Sequence, residues 1–267
     1  MAHIPENVKK KYQNMEKYSN LTQRECDVMN ATPGNLKDYD CPDCLNRGCI
    51  YHADGDYIIA KECHCMVIRQ SIKNIERSGI KGLLKQCTFE NFTATEPWQK
   101  RIKEKAQQFL NNHNGKWFYA GGQVGCGKTH ICTAICGEFL KQKKAVRYML
   151  WRDEVVKLKA VVNDDTEYAR LINPLKSAPV LYVDDFFKTS DTEDGGKKKP
   201  TQGDINVAFE ILNYRYINPN LITIISSERS IDDLIDCDEA VGSRIYQRTK
   251  NYCCYIGTGK NRNYRLR

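Results

Sequence analysis

The sequence lacks long apolar runs and a recognisable export signal. Its apolar runs reach only four or five residues, whereas a helix that crosses a membrane needs about 18 or more. Residues 1–20 contain no apolar core next to their lysines, so we expect no secretory leader and no membrane partner. A composition of 41% hydrophobic and 28% charged residues excludes a wholly disordered chain and a collagen-like fibre. We therefore expect a globular protein of the cytoplasm.

Acidic residues are missing from the C-terminal stretch. Between Arg244 and Arg267 there are seven Lys or Arg residues and no Asp or Glu, in a chain whose net charge is +8. A stretch with basic residues and no acidic ones is complementary in charge to phosphate, either in a nucleotide or in a nucleic acid. The charge pattern therefore predicts a partner that carries phosphate.

The chain has 13 cysteines, an odd number that cannot all form disulfides. Without an export signal a reducing compartment is expected, and there clustered cysteines are metal ligands more often than disulfide partners. Five of the 13 lie between Cys41 and Cys65. This segment is therefore the candidate metal site.

The spacing of these cysteines predicts a zinc site. A C-x₂-C pair, Cys41 and Cys44, is followed after 18 intervening residues by the C-x-C pair Cys63 and Cys65. Asp54-Gly55 between them is a strong hairpin signal, and a hairpin would bring the two pairs together at its base. Four thiolates would surround Zn²⁺ in a closed, structural site with no open position for water. Cys49, His52 and His64 remain alternative ligands.

The pattern of residues divides the chain into two parts. Residues 1–85 are predicted to form a small helical and zinc-binding module, with a helix at Val8–Tyr18. Over residues 86–267, helical patterns alternate with short β-rich runs. This alternation predicts an α/β domain with a central parallel sheet and helices on both faces. Near its end we expect one helix over Ile231–Arg248 that breaks near Gly242.

A phosphate-binding loop is the strongest motif in the sequence. G-x-x-x-x-G-K-[ST] is matched by eight consecutive residues, Gly122, Gln123, Val124, Gly125, Cys126, Gly127, Lys128 and Thr129. The loop follows a short predicted strand and opens a predicted helix, where its N–H groups can meet phosphate charge. Lys128 would reach the β- and γ-phosphates, and the Thr129 hydroxyl would bind Mg²⁺.

A second sequence motif that could bind magnesium contains Asp184, 56 residues after Lys128. The apolar run Val180–Val183 is typical of a strand buried on both faces, and it ends in Asp184 and Asp185. Asp184 would hold Mg²⁺ through a bound water, and Asp185 is placed to orient or deprotonate the attacking water. Together with the loop, this pair predicts hydrolysis of a nucleoside triphosphate.

The ordered set of motifs resembles the AAA+ ATPases of the DnaC/DnaI helicase-loader and IstB group. It covers about two thirds of the chain and comprises Thr88-Phe89-Glu90-Asn91-Phe92, Gly122–Thr129, Val183-Asp184-Asp185, Ile224-Ile225-Ser226-Ser227-Glu228, Gly242-Ser243-Arg244-Ile245 and Asn263-Tyr264-Arg265-Leu266-Arg267. The resemblance implies an AAA+ P-loop ATPase domain that binds ATP and Mg²⁺. It also implies a bacterial protein, encoded by the chromosome or by a mobile element.

Further site residues are implied only by this resemblance. The polar sensor of the γ-phosphate corresponds to Ser227 or its neighbour Ser226, where most AAA+ proteins have Asn. Arg248 resembles the arginine finger that acts on a neighbour's nucleotide, with Arg244 as the alternative, so the active form would be a self-associated oligomer. Arg265 resembles the second sensor, which contacts the nucleotide of its own subunit.

The resemblance implies a function in DNA replication. The chain would be an ATP-dependent loader of the replicative hexameric helicase. Its N-terminal module would bind the helicase. Asp185 replaces the longer Glu of many AAA+ enzymes, which suggests slow, partner-stimulated turnover. The helices between Leu150 and Val180 resemble an insertion used against single-stranded DNA, with four candidate contacts, Lys157, Lys159, Arg170 and Lys176. The alternatives are an IstB-like transposition helper, which the zinc module disfavours, and a nonenzymatic ATP-binding nucleic-acid adaptor.

Overall fold

The structure is a computed structural model, and it describes residues 21–75, 82–189 and 197–266. The chain divides into two compact units, Met1–Gln70 and Ser71–Arg267. The helix expected at Val8–Tyr18 lies outside the described residues. The domain boundary expected between residues 85 and 86 stays a prediction.

The described part of the first unit consists of a helix, a hairpin and the beginning of a second helix. Residues 21–31 are helical (α1), strands β1 (Cys49–Asp54) and β2 (Tyr57–Glu62) pair antiparallel, and α2 spans Cys65–Ile75. The hairpin expected around Asp54-Gly55 is confirmed. Cys49, the first residue of β1, pairs with Glu62, the last residue of β2, at the open end of the hairpin. This end therefore lies close in sequence to both cysteine pairs.

The second unit alternates helices and strands as the sequence predicts. Its helices are α3 (Leu83–Gln86), α4 (Pro97–Asn112), α5 (Lys128–Lys141), α6 (Trp151–Ala160), α7 (Asp165–Ser177), α8 (Gln202–Ile217), α9 (Ile231–Cys237) and α10 (Glu239–Thr249). Its strands are β3 (Phe118–Gly122), β4 (Val146–Leu150), β5 (Val180–Asp184), β6 (Ile222–Ser227) and β7 (Cys253–Ile256). Two short 3₁₀ turns, Lys260–Arg262 and Tyr264–Leu266, follow the last strand.

The five strands form one parallel sheet in the order β4-β5-β6-β3-β7. Every residue of β3, β5 and β6 is buried, as expected for a parallel sheet covered on both faces. The predicted α/β fold with a central parallel sheet is confirmed. Because the strands are parallel, the carboxyl ends of β3, β5 and β6 meet at one edge, where ligands of such sheets bind.

The helix expected over Ile231–Arg248 is two helices, and the predicted break near Gly242 is wrong. The chain turns at Asp238, whose carboxylate caps α10 by accepting the Val241 N–H at 2.8 Å. Gly242 lies inside α10. A Cβ there would lie 2.5 Å from the backbone nitrogen of Ile235, so this glycine allows α9 and α10 to pack closely.

Arg215 of α8 is fully buried in the second unit. Its guanidinium donates to the backbone carbonyls of Leu175, Lys176, Ala178 and Ile222 and to the Thr223 hydroxyl. These bonds connect the end of α7 to β6 across α8.

Within the described parts of the chain, no helix combines the length and apolar character that crossing a bilayer requires.

Candidate nucleotide and metal sites

A cavity of about 420 Å³ lies at the carboxyl edge of the sheet. Side chains and backbone of the predicted phosphate loop line it, together with Asp184, Asp185 and Arg265. These residues come from three separate stretches of the sequence. The fold therefore brings together in one cavity the loop, the paired aspartates and the C-terminal arginine.

The loop between β3 and α5 has the backbone shape that its glycines allow. Gly125 has a φ of 75° and Gly127 a φ of 90°, values that residues with a Cβ rarely adopt. Gly127 immediately precedes α5, so the positive end of the helix dipole points at the cavity. The Lys128 ammonium donates to the carbonyls of Gly122 at 2.8 Å and Gln123 at 2.9 Å. The loop thus holds its own cation beside the place for phosphate.

Asp184 is the centre of a hydrogen-bonded cluster. Its carboxylate accepts from the hydroxyls of Thr129 at 3.3 Å, Tyr148 at 3.0 Å and Ser226. Burial, followed by the charge of Asp184, raises the pKa of Tyr148 well above its usual value, so this phenol stays a donor. Carboxylate and hydroxyl oxygens are ligands that Mg²⁺ prefers, so Thr129 and Asp184 fit a magnesium ion.

Asp185 begins a tight turn after β5. Its φ of 54° lies in the left-handed region, and its N–H donates to Asp184 at 3.1 Å and to the Ser226 hydroxyl at 3.2 Å. Lys188 pairs with the Asp185 carboxylate at 2.8 Å and with Glu228 at 3.2 Å. Glu228 lines the cavity as well. Sequence reasoning assigned no role to Lys188 or Glu228, although Glu228 ends one of the motifs quoted above and directly follows Ser227, the last residue of β6.

The two serines of β6 have different surroundings. Ser226 contacts Asp184 and Asp185, whereas the Ser227 hydroxyl donates to the Phe186 carbonyl at 2.7 Å and accepts the Arg229 N–H at 3.1 Å. The structure therefore brings Ser226, and not Ser227, to the aspartate cluster.

The C-terminal segment lies directly on the phosphate loop. The Gln123 N–H donates to the Ile256 carbonyl at 3.1 Å, and the Gln123 side chain accepts the Gly259 N–H at 2.8 Å. The Tyr264 N–H donates to the Gly125 carbonyl at 2.9 Å. These bonds place the C-terminal segment so that Arg265 lines the cavity.

Arg248 and Arg244 are not among the described residues that line the cavity. The Arg248 guanidinium donates to the carbonyls of Gly115, at 2.6 Å, and Tyr216. Arg244 donates to Asn213 at 3.0 Å and to the Ala240 carbonyl at 2.7 Å. Neither arginine reaches its own cavity, which is the placement that action on a neighbour would require.

The four candidate DNA contacts of α6 and α7 each pair with a carboxylate. Lys157 binds Glu154 at 2.8 Å, Lys159 binds Asp204 at 2.7 Å, Arg170 binds Glu167 at 2.7 Å and Lys176 binds Glu210 at 3.1 Å. A phosphate backbone would have to replace these ion pairs.

In the first unit, Cys41, Cys44, Cys63 and Cys65 are buried, with all four sulfurs within 4.8 Å of one another. The Cys41–Cys63 and Cys44–Cys65 Sγ distances are 3.7 and 3.5 Å. A tetrahedral ion with Zn–S bonds of ~2.3 Å requires S···S edges of about 3.8 Å. The cluster therefore has the size for zinc.

The buried position of these thiols also favours a bound cation. Burial raises the pKa of Cys63 to about 12. Burial also opposes ionisation of Cys44, but hydrogen bonds from the Gly48 N–H and the neighbouring thiols outweigh it and lower its pKa to about 7. Burial of all four sulfurs opposes the formation of four thiolates unless a cation balances their charge. Of the alternative ligands, His64 forms a second group with Cys41 and Asp43, whereas Cys49 and His52 belong to neither group in the described chain.

Comparisons with known proteins agree with this geometry. A phage-like element PBSX protein, XkdC of Bacillus subtilis, is 30% identical over 239 residues, which cover 85% of this chain and 86% of XkdC. The replicative helicase loader DnaC of Escherichia coli is 31% identical over 116 residues, 42% of this chain and 47% of DnaC. A crystal structure of the DnaC helicase loader superposes with a TM-score of 0.52 at 19% identity, over 66% of this chain and 98% of that one.

The model of one protein family, the bacterial DnaA ATPase domain, matches residues 83–249 of this chain, which is more than half of its length. This match spans the phosphate loop, the paired aspartates and both arginines of α10. The chain therefore belongs to the family of the bacterial DnaA ATPase domain and carries an ATP-binding AAA+ domain.

Proposed function

We propose that this protein is an ATP-dependent loader of a replicative hexameric DNA helicase in the bacterial cytoplasm. The observation that carries the proposal is the cavity at the sheet edge, where Lys128, Thr129, Asp184 and Arg265 meet. The relation to DnaC supports the loading function, although the chain matches only 47% of DnaC's length. The cysteine cluster of the first unit supports a separate module for gripping the helicase.

In this proposal the cavity binds ATP, and the residues from Gly122 to Thr129 surround the phosphates. Lys128 exchanges its carbonyl partners for the β- and γ-phosphate oxygens. Thr129 and Asp184 would hold Mg²⁺, which would supply positive charge to neutralise the phosphates. Arg265 contacts the nucleotide from the C-terminal segment, and Ser226, one of the two serines expected for the sensor, takes that position beside Asp184.

Hydrolysis would use Asp185. The oxygen of a water forms a bond to the γ-phosphorus, the bond to the bridging oxygen of ADP breaks, and Asp185 accepts the proton of the water. An arginine of a neighbouring subunit, Arg248 or Arg244, would neutralise charge on the transferring phosphoryl group. The site is then complete only in a self-associated oligomer, which makes turnover slow in the isolated chain.

Loading is tested on a closed single-stranded DNA circle, which a helicase ring can encircle only if it opens. We expect the protein with ATP to increase the helicase retained on the circle, and Lys128→Ala to abolish that increase while the protein remains folded. Lys141→Ala at the far end of α5 is the matched control, because this exposed lysine contacts only Glu138 among the described residues.

Two results would count against loading. Equal retention with the Lys128→Ala variant would separate the function from the nucleotide cavity. No gain in retention with the unsubstituted protein and ATP would refute a loader. ATP binding without hydrolysis, even with DNA and helicase present, would favour a nonenzymatic adaptor.

A further inference from the structure

One ammonium, that of Lys188, lies between two carboxylates of the nucleotide cavity. Its Nζ is 2.8 Å from Asp185 Oδ2 and 3.2 Å from Glu228 Oε1. Asp185 and Glu228 come from the ends of adjacent strands, β5 and β6, and would repel each other without a cation between them. Lys188 therefore fixes the position of the carboxylate proposed to act on water.

The backbone around Lys188 is arranged to keep this contact. The Lys188 N–H donates to the Asp185 carbonyl at 3.0 Å, closing a turn in which Asp185 and Phe187 both have positive φ, 54° and 52°. Phe186 and Phe187 are buried against Trp151 with ring-centroid distances of 4.8 and 5.4 Å. The Lys188 side chain, in contrast, is about one third exposed, so its ammonium is open to solvent and to other partners.

There is also space into which the ammonium can move. Lys188 and Asp185 line both the nucleotide cavity and a second, more open cleft of about 600 Å³. Asp153 also lines this cleft, together with the cations Arg152 and Lys157. The cleft thus offers the Lys188 ammonium space and another carboxylate, that of Asp153.

We propose that Lys188 is a positioning residue that restrains Asp185 in the nucleotide-free state and must leave it before hydrolysis. The ammonium occupies Oδ2 of Asp185, so a water can approach that oxygen only after Lys188 has moved. Lys188 then keeps the resting site slow, and whatever draws the ammonium away accelerates turnover. The inference rests on the proposed hydrolysis of ATP in this cavity, and it does not depend on the helicase.

The test compares single-turnover hydrolysis and ATP affinity for Lys188→Met and Lys188→Arg, without DNA or helicase. Lys188→Met keeps the length of the side chain but removes its charge, and we expect its hydrolysis rate constant to rise about threefold to fivefold, the size typical of a partly exposed ion pair. The affinity for a fluorescent ATP analogue should change less than about twofold, because the phosphate loop is untouched. Lys188→Arg retains a cation and should restore the slow rate.

Lys199→Met is the matched control, since this lysine follows in the same connection to α8 and donates to the Asp236 carbonyl at the surface. A slower rate in Lys188→Met that Lys188→Arg rescues would make Lys188 part of the chemistry and overturn the proposal. An unchanged rate, or no turnover in either the unsubstituted protein or Lys188→Met, would overturn it too. If Lys188→Met does not fold, Lys188→Gln is measured against the same expectation. A protein that fails to load helicase but gains rate in Lys188→Met would refute loading and leave this inference standing.

Discussion

Loss of the metal should unfold the first unit and leave the second unit folded. Cys44 is fully buried, and its sulfur lies 3.5 Å from that of Cys65. Around the four cysteines pack only three partly buried apolar side chains of the described chain, Tyr39, Ile50 and Met66. Outside the cluster, the buried apolar side chains in the described part of this unit are Cys26 and Ile68. A core this small does not offset the conformational entropy lost on ordering the unit, about 1–2 kcal/mol for each residue. A structural zinc ion contributes about 10–16 kcal/mol, so the metal decides whether this unit folds.

The assay combines metal analysis with hydrogen exchange of the full chain. We expect one zinc per chain in the unsubstituted protein, and much less in Cys44→Ser, since only three of the four thiolates remain. Backbone amides of β1 and β2 should then lose their protection, while those of β3 and α5 keep it. Cys49→Ser is the control, because Cys49 lies in the same unit outside the cluster. Retained protection of β1 and β2 after chelation would refute the reasoning.

Two further substitutions test the second unit. Gly125→Ala would place a Cβ 1.9 Å from the Asn263 side chain at a φ of 75°, so we expect at least about tenfold weaker binding of a fluorescent ATP analogue. Gly137→Ala, where a Cβ would meet nothing within 4 Å, is its control, and equal affinities would contradict the docked C-terminal segment. Arg215→Met would remove a donor from four backbone carbonyls, two of them in fully buried contacts, which should lower the free energy of unfolding by at least about 3 kcal/mol. Denaturant titration measures this against the exposed Arg152→Met, and a loss below about 1 kcal/mol would contradict it.

Much of the fold and the centre of the nucleotide site could be predicted because their signals are local. The phosphate loop and the paired aspartates each lie within a few consecutive residues, and the alternation of helices and strands predicts that their carboxyl ends meet. The hairpin between the cysteine pairs also has a local signal, the Asp54-Gly55 turn. Such features depend on backbone geometry that neighbouring residues determine.

The remaining site residues depend on relations that the sequence does not state. Whether Ser226 or Ser227 reaches Asp184 is decided by which face of β6 each side chain takes, and successive residues of a strand point to opposite faces. Lys188 meets Asp185 only because the turn after β5 is left-handed at two residues, and it meets Glu228 only because β5 and β6 are neighbours. Similarly, Asp238 ends one helix and caps the next, so a glycine alone was a misleading signal for the break.

The mass of the complex formed with a hexameric replicative helicase, with and without ATP, tests the central claim most directly. Our account predicts a stable complex heavier than the helicase hexamer, which is lost when Cys41 and Cys44 are both replaced by Ser and retained in the Cys49→Ser control. A helicase that keeps the mass of the free hexamer under both conditions would contradict the account.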